Sequence, residues 1–205
     1  ADTTARSIGH GLGVQPQVVI IRNRTRAENW RVFHRGAGVT GALILDNNSA
    51  YNSATSLFTA DSTSTVFKVG TDFSVNGGYP YVAYCFANIQ GYSKFGSYVG
   101  NSNDNGTFVY LGFKPRWLMI KSTQAGMSWD IIDSARSTSN VMDDYLTANT
   151  TDSEGTSSTK NIDFLSNGFK CRDDNNINFS DHTYTYMAFA ENPFVTSTGI
   201  PTTAR

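Results

Sequence analysis

The segment PQVVIIRNRTRAENW, opening at Pro16, returns 99 positions later as PRWLMIKSTQAGMSW, opening at Pro115. The match runs without a gap from Gly13 and Gly112 to Trp30 and Trp129, with the same proline-to-tryptophan spacing in both copies. It continues in order: TVFKVG around Phe67 is answered by NGFKCR around Phe169, and YVAYCFAN from Tyr81 by YTYMAFAE from Tyr184. The shift grows to 102 and then 103, which places insertions between the matched pieces, where polar loops absorb changes in length. A unit of about a hundred residues present twice is too long and too few for a solenoid, whose repeats of roughly 20–50 residues must number three or more. The chain is therefore expected to be a pair of interlocked halves within one domain. Repeat one occupies residues 1–90 and repeat two 91–194, followed by an extended tail at 195–205.

The join is itself structured, since NIQGYSKFGSYVG carries Tyr92, Phe95 and Tyr98 and reads as a strand, not a linker. Its counterpart in copy one would lie upstream of Ala1, so the sequence reads as a piece of a longer polypeptide or a processed product.

Only 16 % of residues are charged, 13 % are aromatic, and much of the remainder is Ser, Thr, Asn and Gly. That mixture favours strands joined by polar turns. Strands are predicted near 18–22, 30–34, 42–46, 64–69, 80–87, 93–99, 107–111, 117–121, 129–133, 161–165, 168–172 and 183–190, with a helical turn or two at NVMDDYL. Frequent short strands indicate an all-β fold, an antiparallel β-sandwich built from two tandem pseudo-symmetric repeats. VVIIR and WLMIK are apolar without alternation and end in a cation, the pattern of strands covered on both faces that surface at one end. In TYTYMAFA, both alternating faces carry apolar residues, which predicts a central strand.

A net charge of −1 argues against binding nucleic acid, which needs clustered Lys and Arg. No apolar run approaches the roughly 18 residues of a membrane span, which points to a soluble chain with no membrane insertion. Cys85 aligns with Ala188 and Cys171 with Val69, so both are expected to be reduced, buried thiols.

The chemistry-bearing residues do not form a recognised catalytic motif. His10, His34 and His182 lie outside any nucleophile-elbow context, and there is no metal-ligand spacing; NSNDNG, Asn101 to Gly106, reads as a tight hairpin turn. The candidate ligand-binding residues are Trp129, Asp130 and Asp133, with Trp30 and His34 at the matched positions of copy one. Tryptophan offers a sugar-stacking face, and paired carboxylates could hydrolyse a glycoside, but residues 130 and 133 point to opposite faces of a strand. Retention of both tryptophans favours a shared packing role in equivalent environments. Arg31 and His34 against Asp130 and Asp133 leave two readings, strand ends solvated in both halves or charge pairing between the halves about a pseudo-twofold axis. No catalytic residue, metal or cofactor is expected.

GYSKFGSYVGN, FVYLGFKPRWLMIK, IDFLSNGF and YMAFAENPF together resemble a repeated, lectin-like β-sandwich domain of uncharacterised function found in virion proteins of tailed bacteriophages, notably marine ones. The resemblance covers nearly the whole chain and implies no enzymatic activity. It implies a virion structural protein, the C-terminal surface-exposed part of a tail fibre or adhesin, assembled in the host bacterial cytoplasm and displayed on the particle. The implied partners are other virion subunits, further copies of the chain as a homo-oligomer, and a host-surface glycan or protein receptor. Capsid or tail decoration without a ligand is the alternative.

Overall fold

The computed structural model describes residues 4–193. Its strands are β1 (Arg6–Gly9), β2 (Pro16–Asn23), β3 (Arg31–His34), β4 (Leu43–Ile44), β5 (Phe58–Ala60), β6 (Val66–Val69), β7 (Tyr81–Ala87) and β8 (Ser93–Val99). They continue as β9 (Phe108–Tyr110), β10 (Pro115–Ser122), β11 (Asp130–Asp133), β12 (Asp144–Thr147), β13 (Gly155–Thr156), β14 (Ile162–Leu165), β15 (Gly168–Cys171) and β16 (Thr183–Ala190). The described residues contain no helix, and the named strands pair antiparallel throughout. The expected tail at 195–205 lies outside the described residues.

Each of the twelve predicted strands is present. The helical turn predicted at NVMDDYL is not: residues 144–147 form β12, because Thr147 and Leu146 pair with Asp130 and Ile131 of β11. Tertiary pairing there overrides a local helical preference.

The strands form four sheets, ordered β1-β6-β5, β4-β3-β2-β7, β13-β12-β11-β10-β16-β8 and β14-β15-β9. Three apolar cores separate them. Val19, Ile21 and Phe33 of the four-stranded sheet face Phe58, Phe67 and Val69 of the first small sheet. Leu118, Ile120, Ile132 and Tyr184 of the six-stranded sheet face Phe164, Phe169 and Val109 of the second. Between the two large sheets lies a third core, with Val18, Val32 and Leu43 on one side and Phe95, Met119, Trp129 and Met187 on the other.

This layering explains the unalternating apolar runs. In β2, Val19 and Ile21 enter one core while Val18 enters another; in β10, Leu118 and Ile120 part in the same way from Met119. The cation closing each run does not surface equally: Arg22 is half-buried, but Lys121 is fully buried, its Nζ donating to the carbonyl of Ser122 at 2.6 Å. β16 is a central strand between β10 and β8, as its two apolar faces require. NSNDNG is an arch between sheets and not a hairpin turn, since β8 and β9 belong to different layers. Asn178 closes the arch, its Nδ2 donating to Asn101 Oδ1 at 2.7 Å and to the Asn103 carbonyl at 3.1 Å.

Candidate ligand-binding site

The two tryptophans begin from the same local bonds. Trp30 N–H donates to Asp46 Oδ1 at 3.1 Å and its carbonyl accepts from Leu45 N–H at 3.0 Å. Trp129 N–H donates to Asn149 Oδ1 at 2.8 Å and its carbonyl accepts from Ala148 N–H at 2.9 Å. Each indole is thus held at the entry to the strand that follows it.

Their surroundings then diverge, contrary to the expected equivalence. Trp129 is 1 % exposed, with Nε1 donating to the carbonyl of Ile44 at 2.7 Å. The chain after β4 lies over this end of the six-stranded sheet, with Tyr51 N–H bonded to the Thr123 carbonyl and Gly126 N–H to that of Asn48. Trp30 remains half-buried. The same inversion holds along the matched strands: Lys121 is buried where Arg22 is not, and Val18 is buried where Trp117 is not. The large sheets therefore pack with an offset, each covering the opposite end of the other. A twofold axis would have buried matched residues equally.

Three sequence candidates become structural. His34 is buried between the large sheets, with Nε2 donating to the Tyr186 carbonyl at 3.0 Å and Nδ1 accepting from Gly36 N–H at 3.1 Å. Burial lowers its pKa to about 4, which keeps the ring neutral. Asp130 is buried and paired with Lys160 at 2.7 Å; burial raises its carboxyl despite that ammonium. Asp133 accepts the N–H groups of Ala135 and Arg136 and pairs with the Arg136 guanidinium, which also reaches Glu154 at 2.6 Å.

Asp130 stands opposite Ile120 and Asp133 opposite Trp117 across β10, so the two carboxylates take opposite faces, as alternation predicts, and share no cleft. Nor does the charge-pairing alternative across the join hold. Arg31 Nε donates to Ser74 Oγ at 2.9 Å, within its own half, and Asp130 is committed to Lys160.

Trp30 is what remains, and it is not alone. Tyr84, 49 % exposed, stacks beside it with ring centroids 6.4 Å apart and planes inclined by 24°. The Arg22 guanidinium carbon lies 5.7 Å from the indole centroid. β3 sets the tryptophan, β2 the arginine and β7 the tyrosine, so the group rests on three neighbouring strands. Past the turn after β2, Arg26 lies over Phe73 at 5.3 Å and over Tyr79 at 5.2 Å. Asn23 fixes that turn by accepting from Thr25 and Arg26 N–H, both at 3.0 Å. Tyr84 and Arg22 were not among the sequence candidates. The available signal was divergence, because Tyr84 aligns with Met187, a residue of the central core.

The family model described as Domain of unknown function (DUF7483) matches residues 1–193. The chain belongs to this family. No curated protein and no solved structure matches this DUF7483 chain. Among its described residues, no group of three or more His, Cys, Asp or Glu is placed to hold a metal ion, and no helix is long and apolar enough to cross a membrane.

Proposed function

We propose that this DUF7483 chain is a non-enzymatic binding module of a bacteriophage virion, forming the surface-exposed part of a tail fibre or adhesin, and that it contacts a host-surface glycan. The observation that carries the ligand class is the stacked, open pair of Trp30 and Tyr84 with Arg22 alongside. Exposed aromatic faces offer an apolar surface to the C–H face of a sugar ring, and a guanidinium donates to its hydroxyls. The virion setting rests on the resemblance of GYSKFGSYVGN and the companion motifs to phage virion domains. In this reading the two halves descend from one duplicated unit, and the offset between them frees the tryptophan of the first half for recognition while that of the second packs the core.

The test is a glycan array probed with the purified chain, followed by titration of each hit against Trp30→Ala and Tyr84→Ala. Binding that falls at least tenfold in both variants, with unchanged thermal unfolding, supports the reading. An array without hits, or hits indifferent to Trp30→Ala, overturns it and favours a decoration or assembly role.

A further inference from the structure

β7 and β16 carry matched sequences, and each pairs along one edge with its own proline-to-tryptophan strand, β2 or β10. Their other edges differ. β8 fills that of β16, in register from Thr183↔Val99 to Phe189↔Ser93. β7 ends its sheet, and no strand among the described residues pairs with its outer edge.

β8 also delivers a side chain. Tyr98 stacks on Tyr184 at 5.1 Å between centroids, meets Phe169 edge-on at 5.8 Å, and donates its hydroxyl to the Ile177 carbonyl at 2.6 Å. In the first repeat the positions matched to Tyr184, Phe169 and Ile177 are Tyr81, Phe67 and Val75. All three line a cavity of about 170 Å³ beside β7, which Asn76 and Ala83 also border. An apolar cavity of ~150 Å³ accepts a benzene ring, so this one has room for an aromatic side chain.

The edge is unguarded as well. Exposed edges are ordinarily blunted by Lys, Pro or a bulge, whereas YVAYCFA has no charge and no proline. β8, at the edge of the six-stranded sheet, carries Lys94, whose ammonium caps the Tyr110 carbonyl at 2.8 Å.

We propose that the outer edge of β7 and its adjoining cavity form a strand-docking site. Its occupant is an extended segment with the pattern of Ser93–Val99, donated by another copy of this repeat unit. The segment runs antiparallel to β7 in the register that β8 takes on β16. Its residue at the Tyr98 position enters the cavity against Phe67 and Tyr81, and its residue at the Phe95 position lies opposite Tyr84. Main-chain bonds supply affinity in such strand addition, and the pocket supplies selectivity. The site lies along the strand edge and does not depend on Trp30 binding a sugar.

The experiment adds the synthetic peptide GYSKFGSYVGN, the sequence of residues 91–101, to the full chain and follows amide exchange across residues 81–87 together with native mass. The expected result is a monomer whose outward-pointing β7 amides, those not bonded to β2, exchange fast alone and at least tenfold more slowly with one bound peptide. The peptide bearing Tyr98→Ala should bind at least tenfold more weakly. Absence of protection at 81–87, or equal binding by the Tyr98→Ala peptide, overturns the proposal. So do outward-pointing β7 amides already slow in the peptide-free chain, whether the edge is then filled by the chain's own residues or by a second chain in a dimer.

Discussion

His34 makes one of the polar bonds that join the two large sheets, beside that of Trp129 to the Ile44 carbonyl, and its chemistry makes its bond sensitive to pH. Its folded pKa is about 4 against an ordinary 6.5, so between those values the unfolded chain binds a proton that the folded chain excludes. Stability from this group is fully present above pH 6.5, falls as pH drops toward 4, and changes no further below. The expected loss is ~3 kcal/mol. Urea unfolding from pH 7.5 to 4 should show this slope, and His34→Gln, which keeps a donor but cannot titrate, should flatten it. A slope unchanged in the variant assigns the titration elsewhere. The sequence placed His34 on its strand, but its partner, the Tyr186 carbonyl, is 152 positions away and is fixed by how the sheets stack.

Elements were more legible than residues, for a reason visible at particular positions. The strands bearing apolar repeats were read from pattern, whereas β1, with RSIG exposed throughout, has no periodicity to find. Gly13 and Gly112 stand at matched positions with φ of +73° and +84°, so the repeat preserved a backbone requirement that only glycine meets without strain. Gly112→Ala should cost about 1 kcal/mol or more, measured by chemical denaturation. A neutral result would show that the turn relaxes. Thiols show where alignment misled. Cys171 is buried and free, with burial pushing its pKa to about 12, but Cys85 is only half-buried, although it aligns with buried Ala188. The difference is the element and not the residue: β16 is central in its sheet and β7 is an edge. A thiol reagent should therefore modify Cys85 in the native chain and Cys171 only after unfolding. Equal reactivity, or two protected thiols, would contradict this placement.

At the scale of the molecule, the offset between the large sheets decides what each matched residue does, and no spacing in the sequence encodes it. Repetition implied equivalent environments for the two tryptophans, and their backbone N–H groups do bond side chains in matching fashion, to Asp46 and to Asn149. It wrongly implied equal burial, because burial is set by which end of each sheet the other covers. The consequence is measurable as a contrast. Trp129 fills the layer between the sheets and bonds the Ile44 carbonyl, so Trp129→Ala removes packing from both halves at once and should cost roughly 3–5 kcal/mol. Trp30→Ala removes a half-buried ring whose neighbours, Arg22 and Tyr84, remain solvated, and should cost less than about 1 kcal/mol. If the halves share the central layer as one cooperative unit, Trp129→Ala should shift a single unfolding transition seen alike by tryptophan fluorescence and far-ultraviolet circular dichroism. Two separated transitions would mean that the halves fold independently. Equal costs for the two variants would refute the offset itself.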